Sequence, residues 1–398
     1  MNGKNTANPW GGIQSVRPVK RVLQMLNDGM DAQSIRKALQ ADFGVSDEKI
    51  TLALSVAESE RTLLQSISQR DAGLYIDIPF CPTRCAYCSF VSMSADRMTE
   101  FAEPYLAALY RELDAIGRIV KDLGFTIKTV YIGGGTPTTL MALELDNLLY
   151  KIQSVFELSA MTEFSIEAGR PDTITDEKLS VMDRRGVTRV SVNPQTIHEK
   201  TLQIIGRKHS AEAVFRAVNL VRKHQIPVLN MDVIAGLPGE TLQDFQKTLE
   251  AVKACRPENI TIHTMSIKRA SQLKQDAFQP SAGAHRTAVE MLAFAHPYMM
   301  QNRYKGYYLY RQKNTLGNLE NTGFCLPGTA SLYNVGMMEE FLPVFGAGVG
   351  AVTKLVRPGR IERIFNVKDV SEYIKRQAEM RERKQYAYTF YETRNADS

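Results

Sequence analysis

A chain of 398 residues with 44% hydrophobic and 23% charged residues is long enough for two or three domains, or for one barrel with extensions, and its balance is that of a globular protein. The formal net charge of +6 is spread along the sequence, which suits an acidic small substrate and gives no footprint for nucleic acid. Three of its five cysteines fall within one short stretch and the most weakly polar run, 341–352, is too short and glycine-rich to span a bilayer, which argues against a disulfide framework or membrane insertion and for a reducing, cytoplasmic location.

Residues 1–70 read as helices over 16–27, 31–43 and 46–66, with Asp31 and Ser46 as N-caps and Gly29 and Gly44 as punctuation. From residue 71 the pattern changes to short apolar runs alternating with longer amphipathic segments. Strands are expected at 73–79, 129–132, 163–168, 189–193, 228–234 and 259–265. Between the first two, Tyr105, Leu109, Leu113, Ile116, Val120 and Leu123 recur at helical spacing, and further helices are expected at 141–156, 176–186, 210–224, 241–255 and 285–302. Alternation of this kind gives an α/β fold with a parallel sheet. Six βα units are too few for a closed eight-fold barrel, so the expectation over 71–302 is an open three-quarter barrel, with ligands at the carboxyl ends of its strands. Beyond residue 303 the alternation stops. This C-terminal α+β extension, 303–398, has strand-like runs at 307–310 and 361–365, a glycine-rich stretch at 346–350, a charged helix over 370–384 and a polar tail expected to be mobile.

The first strand leads into Cys81, Cys85 and Cys88 at CxxxCxxC spacing. Thiolates are soft ligands, and three so close in sequence can close on one iron-sulfur centre. A structural zinc site needs four closed ligands, and the remaining Cys255 and Cys325 stand alone. Three thiolates on a four-iron cubane leave one iron free for a small chelating ligand, which is what S-adenosylmethionine requires for reductive cleavage. Phe80, Tyr87 and Phe90 would keep the site apolar. The second strand ends in GGGTP at 133–137, whose glycines permit close backbone approach; no GK[ST] follows, so a nucleotide P-loop is not supported. Glu167, Gln195 and Asp232 lie at the ends of the third to fifth strands, with GLPG at 236–239 and Arg207 nearby. Carboxylates suit ribose hydroxyls or an ammonium, and a guanidinium suits a carboxylate. His209, His224 and His263 receive no catalytic role.

These motifs together resemble the radical S-adenosylmethionine (SAM) superfamily and, within it, the oxygen-independent coproporphyrinogen III oxidase family. PFCPTRCAYCSF at 79–90, EAGRPDTI at 167–174, YLYRQKN at 308–314 and GNLEN at 317–321 are similar to its HemZ-type dehydrogenase branch. The resemblance implies a 4Fe-4S cluster on Cys81, Cys85 and Cys88 and two SAM molecules. It puts Tyr75, Gly134, Glu167 and Val352 on one SAM, and Tyr87, Gly135, Thr136, Gln195, Arg207, Asp232 and Ser266 on the other. It implies an enzyme that converts two propionates of coproporphyrinogen III to vinyl groups, giving protoporphyrinogen IX. A low-potential donor such as flavodoxin or ferredoxin and a monomeric state go with that expectation. Lys305, Arg311 and Lys313 are candidates for the substrate's carboxylates. Asp77 stands where the family's oxidases carry histidine, and Phe90 where they carry a further cysteine. Phenylalanine there is also typical of related heme chaperones, so a heme-binding chaperone without oxidase activity is the alternative.

Overall fold

Local capping signals fix the first elements of the computed structural model, which describes residues 8–88, 93–266, 283–312 and 315–392. Helices α1 (Val19–Asn27), α2 (Ala32–Phe43) and α3 (Asp47–Leu64) occupy the expected stretches. The Asp31 carboxylate accepts from the Ser34 amide, the Ser46 hydroxyl accepts from the Lys49 amide, and Gly44 closes α2 in the left-handed conformation.

Strand β1 (Asp71–Ile78) enters the main sheet. A short pair, β2 (Phe80–Cys81) and β3 (Met93–Ser94), brackets the cysteine loop, and α4 (Ala95–Asp122) returns the chain. Then come β4 (Thr126–Gly134), β5 (Glu163–Glu167), β6 (Arg189–Ser191), β7 (Val228–Ala235) and β8 (Asn259–Thr264), with helices Ala142–Val155, Asp176–Arg184, Ala211–Val221 and Leu242–Ala254 between them. Helix Ala284–Gln301 leads into β9 (Lys305–Arg311), β10 (Glu320–Cys325), β11 (Val344–Ala347), β12 (Val352–Arg357) and β13 (Arg360–Phe365). Neighbouring strands run β1, β4, β5, β6, β7, β8, each parallel to the next. This is the open, three-quarter βα barrel anticipated from six alternating units.

The sheet does not stop there. Beyond β8 it continues with β10 and β9, both antiparallel; beyond β1 it continues with β11, parallel, and then β12 and β13, antiparallel. The glycine-rich stretch is therefore half strand. A side chain at Gly346 would strike the Val352 carbonyl at 2.7 Å, so glycine lets β12 fold back tightly on β11. The polar tail is also corrected in part. Tyr386–Glu392 is a helix with Ala387 and Phe390 buried, and the charged stretch before it breaks at Arg376 into Val370–Lys375 and Gln377–Lys384. Its Lys384 is buried, donating to Asn366 Oδ1 at 2.9 Å beside Glu112, and Tyr373 donates to Glu112 Oε2 at 2.5 Å. Charge in this segment seals it onto α4.

The inner strand faces are almost continuously buried, as expected for a parallel sheet covered by helices. Leu109, Leu113 and Ile116 of α4 are wholly buried against it; each such side chain stabilises by roughly 1.5–3 kcal/mol.

Candidate active site

The cysteine loop is seated on the glycines that end β4. Gly135 donates its amide to the Ile78 carbonyl (2.8 Å) and Thr136 to Phe80 (2.7 Å). A side chain at Gly135 would meet the Phe80 carbonyl at 2.7 Å and Cys81 Sγ at 3.0 Å. One at Gly134, at φ +103°, would meet the Asp77 carboxyl at 2.6 Å. The GGGTP turn thus serves as a close-fitting bed for the loop. On the other flank the Ala86 amide donates to Ile205 (3.0 Å) and the Thr83 hydroxyl to Gly206 (3.3 Å), tying the loop to the segment that carries Arg207.

At the carboxyl ends of the strands lies a cavity of about 400 Å³. Cys81, Cys85, Cys88, Tyr87, Gly134, Gly135, Thr136, Glu167, Gln195, Arg207, Asp232 and Ser266 all line it. Tyr75 and Val352 do not. Tyr75 lies one layer behind, stacked at 6.3 Å on both Tyr131 and Tyr333, and Val352 sits on β12 over Gly346. The candidate propionate cations are also elsewhere: Lys305 is exposed at the start of β9, and Arg311 is buried against Trp10, donating to the carbonyls of Ile13 and Asn318. Lys313 and Phe90 lie outside the described residues.

The cavity also gathers residues to which the sequence assigned no binding role. Arg84, Arg170 and Asn193 come from the loops, His263 from β8, Tyr308, Tyr310 and Asn321 from β9 and β10, and Asn334 from helix Leu332–Glu339. A period-two signal was present for the tyrosines: positions 308 and 310 of one strand share a face. Gln195 itself has φ +65°, a strained conformation for a non-glycine residue, held by amide pairing with Asp232 and Ile234.

Buried carboxyls give the cavity its electrostatics. Burial pushes Glu167 up to about 7, although its bond from the Tyr131 hydroxyl opposes this; Asp232 adds to the rise and His263 opposes it. Behind it, Asp77 is pushed up to about 8 by burial, with Tyr75 donating to Oδ2 at 3.0 Å. Asp232 goes the other way. Burial works against its charge, but His263 Nε2 at 3.7 Å and the Asn230 amide at 2.8 Å hold it ionised.

Relatives place this geometry. The radical SAM superfamily matches residues 75–252. The oxygen-independent coproporphyrinogen-III oxidase-like protein HemZ of Bacillus subtilis is 37% identical over 92% of this chain and 74% of its own length. The heme chaperone HemW of the same species is 33% identical over 49% of this chain and 50% of its own, and the oxygen-independent coproporphyrinogen III oxidase of Escherichia coli is 29% identical over 56% and 49%. The solved structure of the Escherichia coli coproporphyrinogen III oxidase HemN, 23% identical, aligns with a TM-score of 0.62 over 81% of this chain and 73% of that one. The chain belongs to the radical SAM superfamily, in its oxygen-independent coproporphyrinogen-III oxidase-like family.

That superfamily carries a 4Fe-4S cluster and SAM, and the residues present fit both. Cys81, Cys85 and Cys88 all line the one cavity. In a cubane each thiolate would take a different iron, which three cysteines on one short loop can supply. Burial pushes the Cys81 thiol up to about 11, against a bond with Thr136, so iron rather than solvent would stabilise its thiolate. Asn193 Oδ1 and Gln195 Oε1 are buried acceptors without a hydrogen-bond partner among the described residues, suited to amino and hydroxyl donors of an adenosyl group. No described helix is long and apolar enough to cross a membrane.

Proposed function

We infer that this protein is an oxygen-independent coproporphyrinogen dehydrogenase, converting two propionates of coproporphyrinogen III to vinyl groups and giving protoporphyrinogen IX. The observation that carries the reading is convergence. Three cysteines, the glycine bed, Glu167, Gln195, Arg207 and Asp232 from the barrel face Tyr308, Tyr310 and Asn321 from the C-terminal strands across one cavity. The similarity to HemZ and to the Escherichia coli oxidase supports it.

The cluster with SAM supplies a 5′-deoxyadenosyl radical able to take a hydrogen atom from a propionate. The chain's part is to bind, orient and keep water out. Asp232, held ionised, suits ribose hydroxyls or an ammonium. Arg207, anchored on the carbonyls of Asn193 (2.6 Å) and Gly169 (3.2 Å), suits a carboxylate. Burial keeps the phenols of Tyr308 and Tyr310 protonated, so with the Asn321 amide they offer donors to propionate oxygens. The departing carboxylate leaves as carbon dioxide, and one electron must pass to an acceptor. Two SAM molecules, divided as the family resemblance suggests, a flavodoxin- or ferredoxin-like donor, a monomeric state and a cytoplasmic site of action complete the proposal.

The chaperone reading is favoured by one observation. The heme chaperone HemW matches 49% of the chain at 33% identity. Anaerobically reconstituted protein given dithionite, SAM and coproporphyrinogen III decides between them. Protoporphyrin and 5′-deoxyadenosine in fixed ratio, both abolished by Cys85→Ser, are expected. Deoxyadenosine without protoporphyrin, together with tight heme binding, would transfer the assignment to the chaperone.

A further inference from the structure

Arg170 lies just past the end of β5 and is almost fully buried, 3% exposed. Its guanidinium is fixed on one side by Asp172, with Nε to Oδ1 at 3.1 Å and Nη2 to Oδ2 at 3.2 Å. The free edge turns into the cysteine loop: Nη1 donates to the Thr83 hydroxyl at 3.0 Å and lies 3.4 Å from the Thr83 carbonyl and 3.8 Å from Cys85 Sγ. The turn that presents it is itself held, by the Thr173 hydroxyl donating back to the Arg170 carbonyl at 2.8 Å and by Lys178 reaching the Thr173 carbonyl at 3.1 Å. A surface ion pair would need none of this support.

The geometry points to Arg170 as a positioning residue that, beside the Arg207 contact with the same sulfur, raises the reduction potential of the cluster through Cys85, with Asp172 as the counter-charge that tempers it. Reduction adds one negative charge to a cluster held in a buried pocket. An N–H donor on a cluster thiolate, and positive charge beside it, stabilise the reduced form and make the potential less negative. Two signs follow. Removing the Arg170 guanidinium makes reduction harder. Neutralising Asp172 leaves the guanidinium uncompensated and makes reduction easier. This inference needs only the cluster, so it stands or falls separately from the choice between dehydrogenase and chaperone.

The test is a potentiometric titration followed by electron paramagnetic resonance, without SAM, on the anaerobically reconstituted full chain, with iron per chain measured alongside. Arg170→Gln with full iron is expected to lower the reduction equilibrium constant about tenfold, a shift of about 59 mV to more negative potential for a one-electron couple. Arg170→Lys, which keeps the charge and loses the fork, should recover part of the shift. Asp172→Asn should move the potential in the positive direction. A wild-type potential in fully loaded Arg170→Gln overturns the inference. Should Arg170→Gln fail to hold iron, Asp172→Asn decides: a positive shift upholds the role, and an unchanged or more negative potential overturns it.

Discussion

Asp77 shows how one residue couples the site to solution conditions. Its ordinary value is 3.8 and burial raises it to about 8, with the Tyr75 bond opposing and Glu167 adding to the rise. Between those values the folded chain holds a proton that the unfolded chain has released. The stability it contributes is therefore complete below about pH 4 and lost as pH rises through about 8. Asp77→Asn in the cluster-free chain should accordingly lose several degrees less of Tm than wild type between pH 5 and 8.5; parallel melting curves would show that Asp77 is not protonated in the fold. Gly135 makes a steric claim instead. Gly135→Ala must displace the Phe80 carbonyl or Cys81 Sγ, so iron per chain after reconstitution should fall at least severalfold, and full loading would refute the bed described for the loop. At this scale the sequence announced what has a fixed local spacing, the cysteines and glycines. It gave no role to Arg170 or His263, because the Thr83 and Cys85 contacts of the one and the Asp232 contact of the other come from segments distant in the chain.

Among elements, the contact of α3 with β9 and β10 is the least expected. Gly306 has no side chain where Val56 and Leu52 of α3 press in, at 2.7 and 3.3 Å from its would-be Cβ, and Ser59 donates to its carbonyl at 2.9 Å. Beside it lies a buried polar knot: Lys49 Nζ meets Glu320 Oε1 at 2.7 Å and His296 Nδ1 at 3.3 Å, and Trp10 donates its indole N–H to Glu320 at 2.6 Å. Burial opposes both charges, but the pair holds Glu320 ionised and Lys49 protonated. Breaking such a pair on one side strands a charge. Lys49→Met should destabilise the fold by about 3–5 kcal/mol in denaturant titrations, with Lys49→Met/Glu320→Gln recovering part; a loss near zero would mean the knot is solvated. The helices, the barrel strands and the caps Asp31 and Ser46 were legible because 3.6- and 2-residue periods and capping chemistry are local. The knot was not, since its members lie between positions 10 and 320. Nor was β11, because Gly346 and the glycines that follow it mask the apolar pattern by which a strand is read.

For the molecule as a whole, the C-terminal strands finish both borders of the sheet. β10 and β9 pair with β8 at one end, while β11, β12 and β13 extend β1 at the other. The open barrel thereby buries the backbone groups its six units leave unpaired, and the same stretch supplies the cavity's far wall. A chain ended at residue 343 would present β1 with no outer neighbour. It should elute as aggregate in size-exclusion chromatography at concentrations where the 398-residue chain does not, and a monodisperse peak would show that β1 is covered in some other way.

That arrangement also carries a cost in time. β1 ends at Ile78, while the strand that covers it begins at Val344. At a synthesis rate of about 5–20 residues per second, the nascent β1 waits roughly 13–50 s for its outer partner. During that interval the loop that must receive an oxygen-sensitive cluster hangs from a strand whose sheet is unfinished. The order of strands along the chain thus makes synthesis of β11 a precondition for a finished sheet beneath the cluster loop.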